Sequence, residues 1–152
     1  MQWHEHDPSE PRMITEIRLR RAHIDLVSPF RTSFGVETAR DLLYIEVSGD
    51  GVTGWGECVP YARYGESLES VTAQIESLPE AITRAALQSA LPPGAARNAV
   101  DCALWDLEAK TAGRRVWQLA GLPEPGPKVV TYTLSLDTPE AMRAMAAKHA
   151  HR

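Results

Sequence analysis

A few residues of this sequence have types and spacings that could support chemistry at a binding or active site. His4–Asp7 near the start, and His149 with His151 near the end, space histidines as metal ligands often are. We interpret both as parts of solvated segments, because a flexible run has no preorganised geometry for a metal ion. Gly54 and Gly56 form part of a dinucleotide-binding fingerprint, but the third glycine and the following helix are missing. We therefore expect a strand packed closely under a loop.

Several acidic residues are candidates for general acid or base chemistry. Glu57 closes a predicted strand, where we favour a structural role as a buried acid or hydrogen-bond acceptor. Asp101, Asp106 and Glu108 lie near one face of a predicted helix, which is typical of a solvated or ion-paired surface. The sequence contains no nucleophile elbow, zinc-protease motif or phosphate-binding loop. Taken alone, these residues support no catalytic mechanism.

Composition and charge exclude several classes of function. The 152 residues have a formal net charge of -4, which gives no electrostatic footprint for nucleic acid or an anionic membrane. Cys58 and Cys102 lie in apolar surroundings, and we expect both to be buried free thiols. Such thiols fit a reducing compartment, so a cytoplasmic location is expected.

The elements that must position any site begin with three predicted strands. Alternation of apolar residues predicts strands at 14–27, 41–48 and 52–57, and Asp50-Gly51 favours a tight hairpin turn. These strands predict an antiparallel meander. Residues 28–37 between the first two strands are expected to form a long loop.

Helices are predicted to follow the sheet. Ser67 is a candidate cap for the first helix, and a second is expected from Pro79 and Glu80 towards Leu91. The clearest helix is 95–112, whose apolar stripe consists of Ala96, Val100, Leu104, Leu107 and Thr111. After the prolines at 123, 125 and 127, the pattern predicts a strand at Val129–Leu136 and a helix that starts around Thr138.

Three segments occur in the order typical of one enzyme superfamily. They are Gly54–Pro60, the helix Ala95–Asp106 and the strand Thr131–Asp137. On these segments the sequence resembles the muconate-lactonizing subgroup of the enolase superfamily. Glu57–Ser67 and Thr131–Leu136 look most like dipeptide epimerases of the L-Ala-D/L-Glu type. The predicted first loop also resembles that of o-succinylbenzoate synthases and N-acylamino acid racemases.

The resemblance implies an α+β fold class and a division of the chain. Residues 1–12 would be a disordered tail, and residues 13–122 an enolase-like N-terminal capping domain with a three-stranded meander and a helical bundle. Residues 123–128 would be a proline-rich linker. Residues 129–152 would be the first β/α unit of a truncated (β/α)8 barrel, since a whole barrel takes roughly 250 residues.

The resemblance also implies proton transfer at a carbon next to a carboxylate. In the family a lysine removes the proton while Mg²⁺ stabilises the enediolate. The first lysine belongs to a Lys-x-Lys motif on the second barrel strand, and later strands supply the carboxylates that hold the metal. Here Lys148 is the single lysine of the final helix and lies outside such a motif. We expect no catalytic or metal-binding residue in this chain, no cofactor bound by it alone, and no activity of the chain by itself.

The resemblance implies that the role of this chain is substrate recognition. In the family the loops after the first and third strands read the distal end of the substrate, and they correspond to residues 28–37 and 60–66. The candidate substrate-binding residues are therefore Phe30, Arg31, Tyr61, Tyr64 and Thr133, the last at the end of the first barrel strand.

Three hypotheses about function follow. The first is the N-terminal part of a Mg²⁺-dependent epimerase that performs a 1,1-proton transfer on a dipeptide or an N-acylamino acid. The second is a fragment of an o-succinylbenzoate synthase or N-acylamino acid racemase. The third is a non-catalytic binding module or one half of a split protein. In the complete enzyme we expect a small-molecule substrate and no nucleic-acid or membrane partner. A homo-oligomer is compatible with the sequence.

Overall fold

The computed structural model describes residues 16–150, which divide into two compact units. The first unit comprises residues 16–22 and 42–125, and the second comprises residues 23–41 and 126–150. The expected tail at 1–12, with its histidines, lies outside the described residues, as does His151.

A three-stranded sheet in the order β1-β2-β3 confirms the predicted meander. Its strands are β1 Glu16–Thr32, β2 Gly35–Gly49 and β3 Val52–Cys58. Strands β2 and β3 pair antiparallel, with Gly49 opposite Val52 at the hairpin end. The turn residues Asp50 and Gly51 have φ angles of 52° and 75°, the left-handed values that a two-residue hairpin requires. The Asp-Gly turn is therefore confirmed.

The prediction of a long loop at residues 28–37 is wrong. Strand β1 continues to Thr32 and β2 starts at Gly35, so that only Ser33 and Phe34 form the turn. The Phe34 N–H donates to Thr32 Oγ1 over 3.1 Å within this turn. Pro29 suggested a loop, but β1 is an edge strand of the sheet, and an edge tolerates a residue without an N–H.

Helices α1 to α4 follow the sheet in the first unit. They span α1 Leu68–Glu76, α2 Arg84–Ala90, α3 Ala95–Thr111 and α4 Val116–Leu119. Ser67 caps α1 as predicted, since its side chain accepts from the Ser70 N–H. The prediction that α2 begins near Pro79 is wrong. The Thr83 side chain accepts from the Ala86 N–H and sets the start at Arg84, while Ile82 enters the core.

Helix α3 lies directly on β3 because Gly54 and Gly56 leave no side chain between them. A Cβ atom on Gly54 would lie 2.1 Å from the Ala103 carbonyl oxygen, and one on Gly56 would lie 2.0 Å from that of Ala99. The glycine pair therefore packs under a helix and not under a loop, which corrects the prediction. Residues from β2, β3 and helices α1 to α3 form the core of this unit, including Leu43, Ile45, Val47, Val71, Ile75, Leu87, Val100, Leu104 and Leu107.

The acidic face of α3 is ion-paired, as expected. Asp106 accepts from the Trp55 N–H at 2.8 Å and from Lys110 Nζ at 2.6 Å, and Lys110 Nζ also donates to the Thr53 carbonyl. These bonds occupy backbone groups of β3, which is an edge strand. Glu108 of α3 pairs with Arg84 of α2, and Asp101 accepts from Gln88 Nε2 over 3.2 Å. Asp106 therefore stabilises the contact of α3 with the sheet, while Glu108 and Asp101 stabilise its contact with α2.

The second unit combines the distal part of the β1–β2 hairpin with residues 126–150. Helix α5 spans Pro139–His149, and its Thr138 cap was predicted. The prediction of a strand at Val129–Leu136 is wrong, because these residues form neither a strand nor a helix. A parallel barrel strand is stabilised by neighbours on both sides, and within residues 16–150 no parallel strand is present to pair with it. The assignment of residues 129–152 to a barrel unit stays a prediction.

Within residues 16–150, the helices are too short or too polar to cross a membrane.

Candidate functional site

The segment between β3 and α1 presents two tyrosines at the surface of the first unit. Ala62–Tyr64 form a 3-10 helix that ends at Gly65, whose φ angle of 74° allows its N–H to donate to the Ala62 carbonyl over 3.0 Å. The rings of Tyr61 and Tyr64 meet edge to face with centroids 5.6 Å apart. Tyr61 is 40% exposed and Tyr64 is 77% exposed, so both rings are accessible to a ligand.

Glu66 holds this segment from within, and the sequence reasoning did not single it out. Its Oε1 accepts from the Ala95 N–H over 2.7 Å, and its Oε2 accepts from the Tyr61 N–H over 3.3 Å. A signal was present, because α3 starts after Gly94, which has no side chain to cap it. A helix without its own cap favours an acceptor from elsewhere in the chain.

The second unit contains the other candidate residues. Phe30 is half-buried and Arg31 is exposed near the end of β1. The Arg31 N–H donates to Ser135 Oγ, and its carbonyl accepts from the Leu136 N–H, each over 2.9 Å. Thr133 is exposed two residues before Ser135. The structure thus joins the Arg31 backbone to the segment that carries Thr133, while Tyr61 and Tyr64 belong to the first unit.

The two cysteines differ, which corrects the expectation that both are buried. Cys58 is a buried free thiol, whereas Cys102 on α3 is exposed. Burial, followed by the charges of Glu66 and Glu57, raises the pKa of Cys58 to about 11. Cys58 therefore remains a neutral thiol at physiological pH. Glu57 itself is exposed, so of the two structural roles predicted for it the buried acid is wrong, and that of a hydrogen-bond acceptor stays a prediction.

His23 is an exposed residue of β1 with a carboxylate partner. Its Nδ1 lies 2.7 Å from Asp41 Oδ1, and its Nε2 lies 3.8 Å from Asp25 Oδ1. The hydrogen bond and charge of Asp41, with a smaller contribution from Asp25, raise the pKa of His23 above its ordinary 6.5.

We expect this pair to make stability depend on pH. A folded-state pKa above the unfolded value means that protonated His23 stabilises the fold fully below pH 6.5, and that this stabilisation is lost as the pH rises through the raised pKa. His23→Gln is expected to remove that part of the pH dependence of the thermal midpoint. Thermal unfolding of both proteins between about pH 6 and 8.5 measures it. Parallel curves for the two proteins would contradict the prediction.

Residues 16–150 do not fit a metal site. Among residues 16–150, no group of three or more His, Cys, Asp or Glu side chains is arranged to hold a metal ion. A hard divalent cation such as Mg²⁺ requires several fixed oxygen ligands. Three of the described acids are instead engaged with arginine, lysine or backbone N–H groups, namely Glu108, Asp106 and Glu66.

Comparison with known families identifies the chain. The model of the mandelate racemase / muconate lactonizing enzyme N-terminal domain matches residues 14–121. The chain belongs to the mandelate racemase / muconate lactonizing enzyme family. The predicted fold, an enolase-type N-terminal domain with a three-stranded antiparallel sheet and helices, is thereby confirmed.

Curated members of the mandelate racemase / muconate lactonizing enzyme family resemble this chain. L-Ala-D/L-Glu epimerase of Escherichia coli K12 is 41% identical over 126 residues, which cover 80% of this chain and 39% of the relative. N-acetyl-D-glutamate racemase of a Pseudoalteromonas species is 41% identical, covering 67% of this chain and 34% of the relative. o-Succinylbenzoate synthase of Geobacillus stearothermophilus is 31% identical, covering 71% and 33%. The chain spans between a third and two fifths of the length of these relatives.

Solved structures of the mandelate racemase / muconate lactonizing enzyme family show the same fold. An enolase family member from Agrobacterium tumefaciens, with homology to dipeptide epimerases and with bound sodium and L-Ala-L-Glu, is 45% identical with a TM-score of 0.82. The match covers 90% of this chain and 43% of that one. A dipeptide epimerase from Enterococcus faecalis, complexed with Mg and L-Leu-L-Tyr, is 25% identical with a TM-score of 0.77, covering 91% and 43%.

Proposed function

We propose that this chain is the substrate-recognition part of an epimerase that inverts the carbon next to a carboxylate in a dipeptide or N-acylamino acid. The observation that carries the proposal is the 45% identity, over 90% of this chain, to a family member with bound L-Ala-L-Glu. The 41% identity to an L-Ala-D/L-Glu epimerase supports the same substrate class.

The exposed side chains suit the distal end of such a substrate. Tyr61 and Tyr64 offer aromatic faces and edges, which bind apolar parts of a ligand. Arg31 is exposed, and its planar guanidinium can bind a carboxylate through two hydrogen bonds. Phe30 would offer apolar contact and Thr133 a hydroxyl group. We assign all five residues to substrate binding and none to proton transfer.

The proposal places the metal outside the described residues. Mg²⁺ is expected for the complete enzyme, because a structural neighbour contains Mg with a dipeptide. Residues 16–150 offer no ligand cluster for it. Two free thiols, one of them exposed, are typical of a reducing cytoplasm, which we propose as the location.

A second candidate function is o-succinylbenzoate synthesis. It is supported by the 31% identity to a synthase of Geobacillus stearothermophilus. The two candidates differ in chemistry, since a synthase eliminates a group whereas an epimerase returns a proton to the same carbon. Substrate preference is therefore the property that separates them.

A domain exchange tests the proposal. Residues 14–121 of this chain would replace the matching segment of the Escherichia coli L-Ala-D/L-Glu epimerase. We expect the chimaera to epimerise L-Ala-D-Glu. Replacing Tyr61 and Tyr64 together by alanine is expected to raise KM about tenfold with little change in kcat, because the lost contacts bind ground state and transition state alike. Steady-state kinetics, with α-proton exchange in deuterated water followed by NMR, measure both constants.

The matched control is Trp55→Ala in the same chimaera. Trp55 is another exposed aromatic residue of the first unit but lies outside the segment between β3 and α1. The Trp55→Ala replacement is expected to leave KM unchanged. A folded chimaera that prefers the substrate of o-succinylbenzoate synthase to L-Ala-D-Glu would favour the second candidate. A folded chimaera without activity on either substrate class would contradict the proposal.

A further inference from the structure

The main helix of the first unit lacks a cap of its own. Helix α3 has seventeen residues and begins after Gly94, where no side chain of the cap residue accepts from its first N–H groups. The first four N–H groups of a helix have no partner within it, and this end has a partial positive charge. Glu66 Oε1 accepts from the Ala95 N–H over 2.7 Å. A carboxylate from a distant part of the sequence thus takes the place of the missing cap.

The second oxygen of the Glu66 carboxylate binds the loop between β3 and α1, which carries Tyr61 and Tyr64. Glu66 Oε2 accepts from the Tyr61 N–H over 3.3 Å, five residues earlier in the chain. Between them, the Tyr64 N–H donates to the Tyr61 carbonyl over 2.8 Å and closes the turn. The loop is therefore fixed at Tyr61 by Glu66, and Glu66 is fixed by α3.

Two acceptor oxygens on one side chain are necessary for this bridge. A carboxylate accepts at both oxygens, whereas a glutamine has one accepting oxygen and one donating amide group. Gly94 leaves room for the carboxylate, because a Cβ atom there would lie 2.8 Å from Glu66 Oε1. Both the charge at position 66 and the missing side chain at position 94 serve the same contact.

We propose that Glu66 is a positioning residue that couples the loop bearing Tyr61 and Tyr64 to the N-terminus of α3. Its consequence for substrate rests on the proposed function, since those tyrosines are the groups it would hold in place. The coupling itself is a property of this chain and is measured without any substrate.

The test uses the 152-residue chain and two variants that break the bridge differently. Glu66→Gln keeps the shape but has a single accepting oxygen, and Gly94→Ala keeps the charge but pushes the carboxylate away. Glu57→Gln is the matched control for Glu66→Gln. The charges of Glu57, which is exposed, and of Glu66, which is half-buried, both raise the pKa of Cys58, so these two variants each remove one charge near the same thiol. NMR measures the exchange of the Tyr61 amide with water and the magnetisation transfer between the Tyr61 and Tyr64 rings.

We expect Glu66→Gln and Gly94→Ala each to raise the Tyr61 exchange rate about tenfold, the effect of losing one charge-assisted hydrogen bond. The ring-to-ring signal is expected to disappear in both, while Glu57→Gln keeps both properties of the unmodified chain. A folded Glu66→Gln chain whose exchange rate stays within about twofold of the unmodified value would overturn the proposal. If that variant does not fold, Gly94→Ala is judged by the same criteria.

A kinetic measurement separates positioning from general stability. In the chimaera described above, Glu66→Gln is expected to raise KM as the tyrosine replacements do, with kcat unchanged. A general loss of stability would instead lower the amount of active enzyme and leave KM alone. A chimaera with no activity would contradict the proposed function. The exchange rate of the Tyr61 amide in the 152-residue chain would still decide the role of Glu66.

Discussion

Replacing Gly56 by alanine is expected to destabilise the first unit by about 3 kcal/mol, at the upper end of the usual cost of overpacking. The added Cβ would lie 2.0 Å from the Ala99 carbonyl oxygen and 3.2 Å from the Ala103 nitrogen. These are backbone atoms of α3, so no side-chain rotation can relieve the clash, and the helix has to move off the sheet. Urea unfolding followed by circular dichroism measures the loss.

Gly126→Ala is the control for this change. It makes the same substitution at a position where a Cβ atom meets nothing within 4 Å. Its free energy of unfolding is expected to match that of the unmodified chain within about 0.5 kcal/mol, as is usual for a surface change. Equal stabilities of the two variants would show that α3 does not rest on β3 as closely as the structure indicates.

Replacing Leu104 by aspartate is expected to abolish the folded state of the first unit. Leu104 is 3% exposed and belongs to the core that α3 forms with the sheet. The change removes a buried leucine and introduces an unpaired charge, which together cost several kcal/mol of a total stability of about 5–15 kcal/mol. Loss of dispersion in the amide NMR spectrum, and of the cooperative thermal transition, would report it.

Asn98→Asp introduces the same charge on the same helix at an exposed position. It lies in the first turn of α3, where a negative charge interacts favourably with the helix dipole, so no loss of stability is expected. If Leu104→Asp kept the thermal midpoint of the Asn98→Asp chain, the face of α3 that carries Leu104 would not be the core face.

Local sequence patterns determined the elements whose signals are contained within a few residues. Asp50 and Gly51 tolerate positive φ angles, and the structure has a tight turn there. Ser67 and Thr138 cap the helices that follow them, because a short hydroxyl side chain can reach the free N–H groups of the first turn. The stripe that includes Val100 and Leu104 placed α3 against the core, since residues three or four apart share one helix face.

The family and its fold could also be predicted from the sequence, because motifs on β3 and α3 occur in a characteristic order. Where tertiary contacts override local preference, the sequence was a poorer guide. The hairpin continued through Pro29 because an edge strand tolerates proline, and α2 started at Arg84 because Ile82 was drawn into the core. Such choices depend on neighbours that no local window contains.

Only the tertiary structure decided what the glycines of β3 and the carboxylate of Glu66 do. The need for glycine at positions 54 and 56 follows only from the packing of α3 against them. Glu66 becomes a cap only because the fold brings the Ala95 nitrogen, twenty-nine residues later in the sequence, within 2.7 Å of Glu66 Oε1. The apolar, β-branched run at Val129–Leu136 favours a strand, but a strand also requires a partner with free hydrogen-bonding groups. The sequence determined which residues favour each element, and the spatial arrangement decided which of those preferences found a partner.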